Sequence, residues 1–88
     1  MEELPNDAIE CNSRGNAWLL ANRTQDALRA YDRAIALCPE YIDPHFNRGN
    51  ALLRLQRYDE ALAAYDRTIE LSPSLVLAHY NRAAVLQA

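Results

Sequence analysis

The chain has 88 residues, half of them hydrophobic, with nine basic and twelve acidic side chains and a net charge of −3. That length supports one small domain burying about 60–65 % of its unfolded surface, and the apolar content excludes a chain disordered by composition. The acidic balance, with all nine cations being arginines scattered along the chain, offers no electrostatic footprint for nucleic acid or an anionic membrane.

The opening residues 1–7 are acidic and lack an apolar core, so they read as an N-terminal tail rather than a signal peptide. A first helix is expected over 8–21, where Ala8, Cys11, Trp18 and Ala21 fall near helical spacing. A second follows over 25–37, with Thr24 as N-cap, Asp26 in the positive first turn, and Ala27, Leu28, Tyr31, Ala34 and Ile35 on one face. Pro39 stops it. A third begins with Asp43 as N-cap and Pro44 at the first helical position and runs to about Leu55. A fourth spans Asp59 to Leu71, turning Ala61, Leu62, Tyr65, Thr68 and Ile69 inward, and Pro73 ends it. The fifth starts near Leu75, with Leu75, Ala78, Ala83 and Leu86 as buried candidates. No alternating run or hairpin turn suggests a strand.

These helices are copies. Arg14-Gly15-Asn16-Ala17 returns as Arg48-Gly49-Asn50-Ala51, and Ala30-Tyr31-Asp32-Arg33 returns as Ala64-Tyr65-Asp66-Arg67. Ile35, Leu37 and Pro39 return as Ile69, Leu71 and Pro73, while His79, Asn81, Arg82 and Leu86 answer His45, Asn47, Arg48 and Leu52. One fixed period means a stacked array of two-helix units, and an array offers a surface rather than an enclosed pocket. Nothing in the chain suggests a nucleophile–base–acid trio or a phosphate-binding loop, so no enzyme and no cofactor are expected.

The pattern resembles the tetratricopeptide repeat (TPR) family, in its Asn-Arg-Gly form, over residues 8–88. The residues that carry the resemblance are Gly15, Ala27, Tyr31, Ala34 and Pro39 in the first copy and Gly49, Ala61, Tyr65 and Pro73 in the second. It implies an all-α solenoid of helix-turn-helix units in a right-handed stack: repeat 1 over 8–41, repeat 2 over 42–75, and a partial repeat 3 over 76–88, five helices in all. Gly15 and Gly49 are expected to let paired helices approach, and Tyr31 and Tyr65 to fill the space between successive repeats. Arg14, Arg48 and Arg82 replace the family's usual leucine, and their guanidinium groups are expected to snorkel from half-buried stems.

The resemblance also places function on the concave face lined by the first helix of each repeat, which in such arrays holds a segment of another protein. The candidates there are Asn12, Asn16, Phe46, Asn47, Asn50, Arg54, Tyr80 and Asn81. A carboxylate clamp of the kind that grips chaperone tails is not expected, because Asn12, Leu77 and Asn81 stand where it needs cations. An asparagine ladder, as in O-GlcNAc transferase-type proteins, fits Asn47 and Asn81 better, since an amide both donates to and accepts from a peptide group. Cys11, His45 and His79 line up along the stack, but helices ~8–10 Å apart cannot converge three ligands to ~2 Å, so packing is the better reading and no metal is expected. Cys11 and Cys38 are too few for a disulfide framework; reduced thiols and a cytoplasmic location follow as the default. No apolar run is long enough for a membrane span. The partner expected is a protein or peptide. The alternatives are self-association into a homodimer through the uncovered last helix, with Val85 and Leu86 on its bare stripe, or a fragment of a larger TPR protein or enzyme.

Overall fold

The computed structural model describes residues 7–88 as five α-helices joined by turns of three or four residues, with no strand among them. They are α1 (Ala8–Leu20), α2 (Thr24–Leu37), α3 (Ile42–Arg54), α4 (Tyr58–Leu71) and α5 (Val76–Leu86). Each helix packs on the next in sequence, and α1, α3 and α5 also lie side by side in register. The expected tail over 1–7 falls outside the described residues except for Asp7, which has a role of its own. Its carboxylate accepts from the Ile9 backbone N–H at 2.8 Å and so caps α1.

The turn inside each repeat explains why Thr24 is not the cap of α2. Asn22 adopts φ 62°, its N–H donates to the Leu19 carbonyl, and Arg23 N–H reaches back to the Trp18 carbonyl at 2.8 Å. This is a Schellman closure of α1. Gln56 (φ 60°) and Arg57 close α3 in the same way, on Leu53 and Leu52. Arg23 and Arg57 are at once the last residues of one closure and the N-cap positions of α2 and α4, since their carbonyls accept from Ala27 and Ala61. Thr24 is therefore inside α2, buried, rather than its cap. α3 likewise begins earlier than Asp43: Tyr41 is its N-cap residue, and Pro44 sits third, where its missing N–H is still harmless because first-turn donors lack intrahelical partners.

Tyr31 and Tyr65 form the centre of each repeat. Both are fully buried, and their rings lie over Gly15 and Gly49 of the preceding helix. A Cβ at Gly15 would come within 2.5 Å of Tyr31 Cε1, and one at Gly49 within 2.6 Å of Tyr65 Cε1. The tyrosines thus close the hairpin of their own repeat, and each also lies beside the next one, Tyr31 near Arg54 and Tyr65 near Asn81. The remaining core, Ala27, Leu28, Ala51, Leu52, Ala61 and Ala64, surrounds them, with Trp18 packed at its margin under the Arg23 guanidinium, 5.5 Å above the ring.

Successive repeats are joined by polar contacts. Arg48 Nε donates to Asp32 Oδ1 at 2.7 Å, and Arg82 Nε to Asp66 Oδ1 at 2.5 Å. The arginine that replaces leucine is thus a link from the first helix of one repeat to the second helix of the repeat before. Half-exposed pairs of this kind contribute roughly 0–1 kcal/mol each, so they set register more than stability. His45 and His79 make the same kind of link, each ring Nε2 lying 2.8 Å from the carbonyl of Pro39 or Pro73. A carbonyl only accepts, so Nε2 carries the proton in both rings. Cys11 occupies the matching place in α1 and is buried, and burial pushes its thiol up from the ordinary cysteine value. In α5, Ala78 and Val85 are buried while Ala83 and Leu86 are exposed, so Val85 rather than Leu86 faces α4.

Gly49→Ala is expected to cost about 1–3 kcal/mol through overpacking against Tyr65, despite alanine's advantage of about 1 kcal/mol in a helix. In a Tyr65→Leu background the same change becomes neutral or stabilising. Thermal melts of the four proteins check this; an equal loss in both backgrounds would show that the ring is not what requires the glycine. Gln56→Gly relieves a left-handed residue and is expected to stabilise by about 0.5–1 kcal/mol, read as a rise of a few degrees in Tm.

Alkaline pH tests the buried phenols. Burial pushes Tyr31 and Tyr65 up to about 12, with Arg54 and the Asn81 amide opposing the two shifts respectively. A tyrosine in the unfolded chain titrates near 10. Between about pH 10 and 12 the unfolded state gives up protons that the folded state keeps. The stabilisation is complete below pH 10 and is lost as pH rises toward 12. Tm should fall across that window, and tyrosinate absorbance should show Tyr31 and Tyr65 ionising last; a flat Tm to pH 12 would contradict the burial of both hydroxyls.

Candidate functional site

The first helices α1, α3 and α5 lie against one another, and the asparagines on their shared face are bonded to one another in an order that sequence did not reveal. Asn47 Nδ2 donates to Asn12 Oδ1 at 3.0 Å, joining α3 to α1. Asn81 Nδ2 donates at 3.0 Å to Asn50 Oδ1, joining α5 to α3. The two bonds are not repeat-equivalent. Asn81 lacks an asparagine opposite to mirror Asn12, because Phe46 stands there, and it turns to Asn50 instead.

The tyrosines of the core reach the same face from below. Tyr31 Oη donates to Asn16 Oδ1 at 2.6 Å and Tyr65 Oη to Asn50 Oδ1 at 2.5 Å. A phenol hydroxyl held this way fixes which end of an amide points outward. At Asn16 and Asn50 the carbonyl end is taken and the NH2 end remains. At Asn47 and Asn81 the NH2 end is taken and the carbonyl remains. No buried side-chain N or O among the described residues lacks a partner, so the free end of half-buried Asn47, Asn50 and Asn81 reaches solvent. This face therefore offers donors from Asn16 and Asn50 and acceptors from Asn47 and Asn81, with their orientation set by the core.

The other candidates divide. Asn12 is buried and engaged with Asn47, so it supports the ladder without being exposed to a ligand. Phe46 packs on the core, its ring centroid 6.0 Å from that of Tyr65, and contributes an edge at most. Tyr80 is 71 % exposed, as an aromatic contact requires. Arg54 is exposed and donates through Nη1 to the Leu19 carbonyl at 2.8 Å. Ile9, Leu20 and Leu77 add exposed apolar surface along the same helices. Sequence reasoning missed the Arg48–Asp32 and Arg82–Asp66 links, although the equal spacing of both pairs was visible. Both cysteines are free, and no three His, Cys, Asp or Glu side chains converge as a metal site among the described residues. No helix there is long and apolar enough to cross a membrane.

No curated protein sequence matches the chain. Solved structures do. The first TPR of Spaghetti (RPAP3), bound to the HSP90 peptide SRMEEVD, superposes with a TM-score of 0.91 at 26 % identity, covering 94 % of this chain and 66 % of that one. The second TPR of Spaghetti (RPAP3), bound to the same peptide, gives 0.89 at 29 % identity over 91 % of this chain and 74 % of that one. The MamA protein gives 0.91 at 27 % identity over 93 % of this chain but 45 % of its own. The chain thus spans from under half to about three quarters of the length of these relatives. A family model described as "TPR repeat" matches residues 15–56 and 49–88. With the helix order, the glycine–tyrosine packing and these matches in agreement, the chain belongs to the tetratricopeptide repeat family, whose repeats are interaction modules rather than catalysts.

Proposed function

We propose that this domain binds an extended peptide segment of a partner protein along the groove of α1, α3 and α5, and serves as an adaptor. The observation that carries this reading is the alternation of pinned amides: NH2 donors at Asn16 and Asn50 and carbonyl acceptors at Asn47 and Asn81. A peptide backbone presents donors and acceptors in alternation, so such a surface can pair with main chain whatever the side chains are. Tyr80, Leu77, Ile9 and Leu20 supply apolar contact beside it. The peptide complexes of both Spaghetti TPRs support a peptide as occupant. A hold on a C-terminal carboxylate is a poorer fit here, because the cation positions it needs hold Asn12, Leu77 and Asn81, and Asn12 is buried. The net charge of −3 suits a protein partner better than nucleic acid. A cytoplasmic location belongs to the same proposal and rests on composition.

Screening the domain against immobilised 15-residue peptides, then measuring selected ones by calorimetry, tests the reading. Asn47→Ala combined with Asn81→Ala is expected to weaken binding about tenfold or more, at roughly 1 kcal/mol per lost hydrogen bond, while circular dichroism confirms the fold. Unchanged affinity in the double variant would remove the ladder from the mechanism.

One observation favours self-association as a second reading. Val76, Leu77, Tyr80 and Leu86 on α5 are 75, 58, 71 and 59 % exposed, a dense apolar surface for one helix. Light scattering over a hundredfold concentration range separates the readings: groove binding alone expects 10.0 kDa throughout, and a stable dimer would favour self-association.

A further inference from the structure

Arg54 differs from its neighbours in what it holds. Arg48, Arg57 and Arg82 sit on carboxylates, those of Asp32, Glu60 and Asp66. Arg54 instead gives one N–H to a neutral acceptor, the Leu19 carbonyl, in the last turn of α1. That carbonyl lies at the negative end of the α1 dipole, which favours a cation there. A guanidinium has five N–H donors, and the others remain directed away from this bond. The bond to backbone makes Arg54 a held cation rather than a freely swinging one, with no carboxylate paired to it among the described residues.

Two amide donors share its surroundings. Asn16 precedes Leu19 by three residues on α1, and Asn50 precedes Arg54 by four on α3, so each lies one helical turn away on the same side. The tyrosine hydroxyls occupy both Oδ1 atoms and leave both NH2 groups as the available ends. Arg54 is close enough to Tyr31 for its charge to pull that phenol down against the larger effect of burial. Asp43, the carboxylate that the described residues place on this face, is eleven residues before Arg54 on α3, about 16 Å along the axis. This half of the face therefore brings three donors together, and among the described residues no carboxylate pairs with Arg54.

We propose that Asn16, Asn50 and Arg54 form a subsite for the carboxylate of an aspartate or glutamate side chain within the peptide that the groove binds. The inference rests on the groove-binding reading above and goes further by naming the charge the ligand must bring. A carboxylate is the acceptor that matches the remaining guanidinium fork, and charge-assisted hydrogen bonds are shorter and stronger than neutral ones. The pinned amides add two donors that need no reorientation on binding.

The test uses 15N-labelled protein and three short probes followed by side-chain N–H resonances. They are acetyl-Ser-Ala-Glu-Ala-Ser-amide, its glutamine counterpart, and the glutamine peptide with a free C-terminal carboxylate. The glutamate amide is expected to shift the NH2 signals of Asn16 and Asn50 and the Nε–H of Arg54, with affinity about tenfold above the glutamine amide. That advantage should shrink as salt rises from roughly 20 to 200 mM. Arg54→Gln should abolish the preference, whereas Arg54→Lys should keep part of it as a point charge without the fork. Equal response to both amides would overturn the proposal. So would a response confined to the free-carboxylate peptide, or none at about 10 mM peptide, weaker than the weakest useful recognition. If screened peptides still depend on Asn47 and Asn81 while glutamate and glutamine are held alike, the acidic subsite falls and the groove stands.

Discussion

The contact on which this small stack depends is a tyrosine ring packed against a glycine. Tyr31 and Tyr65 are fully buried, their rings crowd the place a Cβ at Gly15 or Gly49 would take, and their hydroxyls reach the adjacent Asn16 and Asn50. One side chain therefore does three things. It fixes the separation of paired helices, fills the centre of a core otherwise built largely of alanine, and orients a polar group on the exposed surface. Aromatic burial is the largest apolar contribution available to a domain this size, and the hydroxyl satisfies its own polar group by reaching solvent-facing asparagine.

The linkage between repeats has a different character. Within a repeat the joint is tight and apolar; between repeats it is repeated polar contact, Arg48 to Asp32, Arg82 to Asp66, His45 to Pro39 and His79 to Pro73. Such half-exposed bonds contribute little stability but are directional, so they specify how one hairpin sits against the next. Stacking energy comes from the alanines and leucines between the helices, and direction from the polar links. A groove assembled from several helices needs both, because a slip of one unit would separate Asn12 from Asn47 and Asn50 from Asn81.

The groove is thus tied to the core. Its donors and acceptors are not free surface amides. Each is held at one end by a tyrosine or by another asparagine, and the end that remains is chosen by the interior. Preorganised polar groups lose less freedom on binding than mobile ones, which suits recognition of a flexible segment. Arg54, tied to the end of α1, extends the same arrangement with a charge.

Much of this was legible in the sequence. The recurrence of Arg-Gly-Asn-Ala and Ala-Tyr-Asp-Arg at one spacing specified five helices, their pairing and the family, because periodic burial and proline stops are local properties that do not depend on where the partners lie. Helix starts were less legible: Thr24 and Asp43 look like caps, but a three-residue turn forces Arg23 to close one helix and open the next, and α3 begins at Ile42. What only the tertiary structure decided is which partner each polar side chain takes. Sequence placed Asn12, Asn16, Asn47, Asn50 and Asn81 on one face. It could not say that Asn12 would be buried as a rung, that Asn81 would turn to Asn50, or that Arg48 and Arg82 would leave their own helices for Asp32 and Asp66. Helix formation follows from short-range pattern, whereas hydrogen-bond partnership depends on distances of about 3 Å between residues many positions apart, and those exist only once the helices have packed.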